Sequence, residues 1–441
     1  MRKFILLSVM TLFPLISVSG QNTFALEPGE RKDKIRFELI NNLIILPVEL
    51  NGIKLSFLLD TGVNTTVLLG LDNVDSLDLR NSETVKLKGI GSDEHIEALK
   101  SEGNQMRVGK AVSDDLTIFL ILDQNINFSP RLGFPVHGIL GHDFFRNFIV
   151  EINYQRKFLR LYPLNEEPGK VRKYEAVPLV FYKNKPYVNT LLTIKDSTIR
   201  STLLLDSGLA DALWLFEDGQ EILVPDPYYD DFLGLGLVGD IFGKRSRSSN
   251  MTIAEFELDN ILTSFPDTTA FGGLKFFTER NGSIGGEILR RFHLIFNYSE
   301  LKLYMKKNSH FDDEYFTNMS GITVEHDGFV VIRSSAKAPS FSTNGVNQNS
   351  TVLVSETTRV QQTFSLKPEF RIARLRKDSP AERAGLKVGD HIVSINSRSA
   401  YKMDIEEIAR LFASKEGKRI KMKIKRNGSE QTFIFHLERA L

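Results

Sequence analysis

No cysteine occurs anywhere in the 441 residues. That excludes disulfides, a thiol nucleophile, cysteine metal ligation and a lipid-modified cysteine. An excess of one charge is also missing. The 56 basic residues face 55 acidic ones, for a net charge of +1. Nothing therefore points to nucleic acid or a membrane surface as the main partner. Beyond the N-terminus no apolar run is long enough for a stable membrane span. The eight histidines show no H-E-x-x-H and no paired ligand spacing, so no metal is expected. The serine-hydrolase motif G-x-S-x-G is absent. Gly234-Leu235-Gly236-Leu237-Val238-Gly239 does satisfy the dinucleotide pattern G-x-G-x-x-G. It follows a turn-like stretch, Val224 to Tyr229, and no long helical pattern comes after it, so no nucleotide cofactor is expected.

Apolar residues make up 41% and charged residues 25% of the chain, enough for a sizeable core divided among two to four domains. Residues 1–20 read as a secretory signal peptide. Arg2-Lys3 precede an apolar stretch from Phe4 to Val18, and small residues follow at Ser17, Ser19 and Gly20. The stretch is short for a transmembrane helix and carries Pro14. An exported protein, periplasmic or secreted, is the expectation.

Two triplets dominate the rest: Asp60-Thr61-Gly62 and Asp206-Ser207-Gly208. Each ends an apolar run, and each is answered by an element ending in glycine, Ile139-Leu140-Gly141 and Ser283-Ile284-Gly285. The Asp-to-Gly separations nearly agree (141 − 60 = 81; 285 − 206 = 79). A shift of 144 residues superposes Gly141 on Gly285, Arg146 on Arg290, Phe148 on Phe292 and Asn153-Tyr154 on Asn297-Tyr298. A period this long repeats a whole lobe. Two similar lobes pair readily about a pseudo-twofold axis, which brings equivalent residues together near its centre. Asp60 and Asp206 are the candidates to meet there.

The chain divides accordingly. Residues 35–164 read as a first lobe of strands and turns, with a hairpin signal at Asn51-Gly52. A polar linker leads to a second lobe over 172–307 with the same grammar. One helix is expected after Gly141 and another after Gly286. A charged linker, Asn308 to Tyr315, precedes a last domain over 315–441. That domain contains strands, an amphipathic helix from Asp404 to Ala413, and a polar stretch from Ser334 to Lys367 read as a long mobile loop.

Two carboxyls about 3 Å apart cannot both ionise easily, so they share a proton. The ionised member can take a proton from water, and the protonated member can bond the carbonyl under attack. Gly62 and Gly208 permit a tight corner, and the hydroxyls of Thr61 and Ser207 can lock the two corners together. Here the chain resembles the aspartic proteases of the pepsin and retroviral kind, over about residues 35–307. The resemblance implies a mainly β, duplicated bilobal fold with an active-site cleft between the lobes. Asp60 and Asp206 would be the catalytic dyad. Gly89, Ile90 and Gly91 would form a flap tip, with Gly234 and Gly236 as its second-lobe counterpart. The implied function is an exported aspartic endopeptidase acting on peptides or proteins without a cofactor. Val63 and Leu209 depart from the family, since neither supplies the side-chain hydrogen bond found after the triplet in many members. The alternative is a catalytically silent protease fold that binds peptides.

Ser379-Pro380-Ala381, Ala384-Gly385-Leu386 and Gly389-Asp390, followed by Ile392, Ile395 and Asn396, resemble an α+β PDZ domain. The resemblance implies that a C-terminal peptide lies along a sheet edge with its carboxylate held by backbone N–H groups. Ser320, Gly321 and Ile322 are the candidates for that carboxylate loop.

Overall fold

The computed structural model describes residues 23–441 apart from 72–73, 89–94, 124–125, 167, 170, 237–238, 268–277 and 345–352. The signal-peptide reading and the flap tip Gly89-Ile90-Gly91 lie outside the described residues. No helix among the described residues is long and apolar enough to cross a membrane.

After three short strands, Ala25–Leu26, Asp33–Arg36 and Glu38–Ile40, the first lobe continues with β1 (Leu43–Leu50) and β2 (Ile53–Leu59), joined at Asn51-Gly52. Both turn residues have positive φ, 47° and 85°. That geometry matches the twist of the flanking strands and explains the Asn-Gly pair. After β2 come β3 (Thr66–Leu68), β4 (Ser82–Lys88), β5 (His95–Val108) and β6 (Ala111–Ile121). Helix α1 (Ser129–Leu132), β7 (Gly138–Leu140), α2 (His142–Phe145), β8 (Phe148–Asn153) and β9 (Phe158–Pro163) complete the lobe. Its main sheet runs from Ala25–Leu26 through β6-β3-β7-β2-β1-β5-β4, with Glu38–Ile40 also paired to β1, and a further β5–β6 pairing links the sheet back on itself.

The second lobe repeats this plan. It comprises β10 (Glu175–Pro178), β11 (Val180–Tyr182), β12 (Lys185–Ile194), β13 (Ser197–Leu205) and β14 (Leu213–Leu215). It continues with β15 (Tyr229–Gly236), β16 (Gly239–Ile253), β17 (Phe256–Pro266), β18 (Arg280–Ile284), α3 (Gly286–Leu289), β19 (Phe292–Asn297) and β20 (Lys302–Lys307). Its sheet order is β11-β12-β13-β18-β14-β17-β16-β15. The strand before each Asp is flanked in parallel by the strand before each answering glycine. Leu59 pairs with Leu140, and Leu205 with Ile284. Both expected helices are present as single turns.

A third sheet joins the lobes in the order β10-β20-β19-β8-β9, with Asp33–Arg36 beyond β9. At its centre β8 pairs antiparallel with its own repeat, β19, and Glu151 lies opposite Ile295. Those two residues are 144 apart (295 − 151 = 144), so the pseudo-twofold axis passes through this pair. One continuous apolar cluster runs through both lobes, from Phe24 to Tyr315. The linker is anchored, because the buried Arg291 donates to the carbonyls of Phe311 (2.9 Å) and Asp313 (2.5 Å).

The last domain has a core of its own, built from residues between Met319 and Leu437. Its sheet runs β21 (Ile322–Asn344), β22 (Leu353–Leu375), β23 (His391–Ile395), β24 (Arg419–Arg426) and β25 (Ser429–His436). Two helices pack on it, α4 (Pro380–Arg383) and α5 (Ile405–Phe412). Helix α5 starts with a capping box. The Glu407 N–H donates to Asp404 Oδ1 (2.6 Å), and the Asp404 N–H donates to Glu407 Oε2 (3.2 Å). Ile405, Ile408 and Phe412 turn into the core.

The mobile-loop reading of Ser334 to Lys367 is corrected. β21 and β22 pair in register from Ser334–Thr363 out to Asn344–Leu353. Side-chain polarity is a poor guide here, because a two-stranded ladder satisfies backbone groups whatever its side chains are.

Candidate active site

β2 and β13 bury their apolar residues and end in corners that the neighbouring strands hold. The Asp60 N–H donates to Leu140 O, and the Asp206 N–H donates to Ile284 O, both at 2.9 Å. The corners then interlock across the lobes. The Thr61 hydroxyl donates to Leu205 O (2.7 Å), and the Ser207 hydroxyl donates to Leu59 O (2.8 Å). Each hydroxyl oxygen also accepts the partner's amide, Thr61 N–H to Ser207 Oγ (3.1 Å) and Ser207 N–H to Thr61 Oγ1 (3.0 Å). Both side chains are buried, so each of these four bonds satisfies a group that water does not reach. Asn42 adds a fifth link, donating to Ala210 O (3.0 Å).

The interlock brings Asp60 and Asp206 into hydrogen-bonding contact. Each also accepts the N–H of its own glycine, Gly62 to Asp60 Oδ1 (2.7 Å) and Gly208 to Asp206 Oδ1 (3.1 Å). Space is tight at Gly62 and closed at Gly208. A Cβ on Gly62 would lie 3.1 Å from Asp206 Cγ, and one on Gly208 would overlap the Asp60 carboxylate.

Burial, the Asp206 charge and their shared hydrogen bond push the Asp60 carboxyl well above the usual carboxylate range. Burial also raises Asp206, but Arg280, Lys185, the Gly208 N–H and the bond from Asp60 all pull it back. Burial and the neighbouring acid thus hold both carboxyls above the usual carboxylate range, so the pair shares a proton, with Arg280 and Lys185 favouring ionisation on the Asp206 side.

Lys185 and Arg280 were not foreseen. Lys185 opens β12, and burial together with Arg280 lowers its ammonium pKa. Arg280 opens β18 and donates to Gly282 O (3.2 Å) and Ser283 Oγ (2.6 Å). Neither belongs to a motif, and only the fold brings them near the dyad. In the sequence Tyr298 stands out only as the repeat of Tyr154. It stacks on His142 with ring centroids 5.6 Å apart, and its buried hydroxyl has no partner among the described residues. His142 is the first residue of α2, as expected.

Val63 and Leu209 have a packing explanation. Val63 joins the apolar cluster around Ile139, and Leu209 joins the one around Trp214, Leu233 and Ile241. Gly234 and Gly236 lie on β15, which forms a hairpin with β16. On the first lobe β4 and β5 pair as far as Lys88–His95, on either side of the undescribed flap tip. Among the described residues no cluster of three metal-ligating side chains occurs.

In the last domain the candidate carboxylate loop is closed on itself. Asn318 Oδ1 accepts the N–H groups of Ser320 (3.0 Å) and Gly321 (3.1 Å), and Ser320 Oγ accepts the Ile322 N–H (3.0 Å).

Residues 46–144 match the family model described as aspartyl protease, and residues 371–426 match that of the PDZ domain. Two curated proteins of Bacillus subtilis (strain 168) are similar over short stretches. The carboxy-terminal processing protease CtpB is 41% identical over 64 residues, 14% of this chain and 13% of that protein. The carboxy-terminal processing protease CtpA is 38% identical over 60 residues, with the same two shares. The chain thus matches only about an eighth of the length of these relatives. Among solved structures, the aspartic proteinase from Irpex lacteus aligns at a TM-score of 0.41 and 10% identity, covering 64% of this chain and 99% of that one. The chain is mainly β and carries an aspartic-protease-like fold followed by a C-terminal PDZ domain.

Proposed function

We propose that the protein is an exported aspartic endopeptidase. The observation that carries this reading is the reciprocal Thr61–Ser207 interlock, which holds Asp60 and Asp206 in hydrogen-bonding contact. A water between the carboxyls loses a proton to Asp206 as its oxygen attacks the peptide carbonyl carbon. Asp60 donates its hydrogen bond to the carbonyl oxygen, where negative charge develops. Collapse of the tetrahedral intermediate breaks the C–N bond, and the proton held by Asp206 passes to the leaving amine. No side chain becomes covalently attached. The flanking hairpins, β4–β5 and β15–β16, suit an extended peptide substrate, which such hairpins can cover and shield from water.

The test is digestion of a diverse peptide mixture by the mature chain from pH 3 to pH 8, beside Asp60→Asn and Asp206→Asn. Products that vanish in both variants support the reading. Peptide binding without cleavage by any version would move the assignment to a silent peptide-binding protein.

A further inference from the structure

The PDZ domain meets both lobes at one place. Helix α1 of the first lobe lies along β21, and α5 flanks the same strand. A Cβ on Gly133, which ends α1, would be 3.1 Å from Ile405 Cδ1 at the start of α5. β21 is the end strand of its sheet, and among the described residues no strand pairs with its outer edge. The trough between such an edge and a helix suits an extended peptide that adds as a further strand. Here one end of the trough is covered by the first lobe.

The second lobe reaches the same spot through its hairpin. Asp240 of β16 accepts from Arg131 of α1 (2.9 Å) and pairs with Arg374 of β22. Phe232 of β15 lies under both guanidinium groups, at 4.9 and 5.7 Å, and Tyr229 lies under Arg376 at 4.6 Å. Arg131 also faces Glu325 of β21 at 3.9 Å, and Arg371 pairs with the same Glu325 at 2.6 Å. Pro130, Arg131, Leu235, Glu325, His326 and Arg371 line a crevice of about 410 Å³ at this junction. One carboxylate, Asp240, thus ties the hairpin to the first lobe and to the PDZ domain at once.

The carboxylate loop points away from terminal recognition. The donors that a free C-terminus needs are already given to Asn318 Oδ1 and Ser320 Oγ. Asn318 is fixed in turn, since its side-chain N–H donates to Ile322 O (2.7 Å) and its backbone carbonyl accepts from Arg376 (3.1 Å). Ser320 is fully buried.

We propose that this PDZ domain takes an internal extended segment carrying a basic residue, rather than a chain terminus, and that its entry releases the β15–β16 hairpin through Asp240. The segment adds to the outer edge of β21, and its basic side chain replaces Arg131 at Glu325. Displacing α1 removes Arg131 from Asp240, and the hairpin loses its tie to the first lobe. Only the consequence for cleavage rests on the endopeptidase reading; binding and release do not.

The experiment uses the full chain with Asp206→Asn, so that peptides are not consumed. The probe is a fluorescent nonapeptide pool with a fixed central Arg, made both as the C-terminal amide and as the free acid. Anisotropy gives affinity in this background alone, with Asp240→Ala, and with Arg131→Ala. Hydrogen exchange follows residues 229–253 with and without peptide. Amide and acid pools should bind within about twofold of each other. Each added substitution should tighten binding about tenfold, because the tie that binding must break is already weakened. Peptide should speed exchange in the hairpin. A free acid that binds tenfold tighter than the amide overturns the proposal. So does an affinity unchanged in both variants, no binding by either pool, or hairpin exchange that peptide leaves alone. No readout requires hydrolysis, so failure here leaves the dyad reading standing, and the reverse also holds.

Discussion

Thr61 and Ser207 each donate a hydroxyl to the strand that leads into the other's triplet, at 2.7 and 2.8 Å, and each accepts the other's amide. The exchange is symmetric, buried and centred beneath the two carboxyls. It makes the spacing of Asp60 and Asp206 a property of both lobes together.

Removing either hydroxyl should therefore cost stability as well as activity. Thr61→Ala or Ser207→Ala leaves a buried carbonyl and a buried amide without partners, a loss of about 1–3 kcal/mol each. The pair should couple in a double-mutant cycle by about 1 kcal/mol. Thr61→Ser, which keeps the oxygen, should stay near the parent. Urea denaturation of the five chains measures all of this.

Asp60 predicts how stability varies with pH. Its carboxyl titrates higher in the folded protein than in the unfolded chain. The folded state thus holds the extra proton as pH rises above the ordinary carboxylate value. Stability from this group is complete below that value and is lost as pH climbs toward the raised one, by up to ~1.4 kcal/mol per pH unit. Asp60→Asn should flatten the slope and be the more stable chain at neutral pH. Urea midpoints between pH 4 and pH 8 give the comparison.

Lys185 should set the acid limb of the proposed peptidase activity. Its charge favours the ionised form of Asp206. Lys185→Met should raise the Asp206 carboxyl further and move the acid limb of the kcat/KM profile to higher pH. A profile that keeps its acid limb in place would show that Lys185 is too well screened to matter.

Gly208 tests the spacing directly. A Cβ there would overlap the Asp60 carboxylate, so Gly208→Ala must push the two acids apart. A displacement on the order of 1 Å at a reacting group costs about 10²-fold in rate. The expected result is that loss in kcat/KM, with the circular dichroism of the parent retained.

Much of the fold is visible in the residues alone. Apolar runs that end in Asp-Thr-Gly and Asp-Ser-Gly mark strands meeting a tight corner. Asn51-Gly52 marks a hairpin, and Asp404 with Glu407 marks a helix start. These are local signals, produced by backbone sterics and short-range hydrogen bonds. The 144-residue repeat carries further and predicts a twofold, which the Glu151–Ile295 pairing places. The polar stretch from Ser334 to Lys367 misleads, because its composition resembles a loop while its backbone finds a partner strand.

The sequence by itself determined that two equivalent acidic corners exist, which residues form them, and that a PDZ-type pattern follows. Those are matters of residue type and spacing. Only the tertiary structure decided that Lys185 and Arg280 act on the dyad, because other strands than those that end in the triplets bring them there. It also decided that Asp240 meets Arg131 and Arg374, residues 109 and 134 positions away in the chain. Electrostatic terms fall with distance in space and ignore distance along the chain, so no linear pattern could have recorded them.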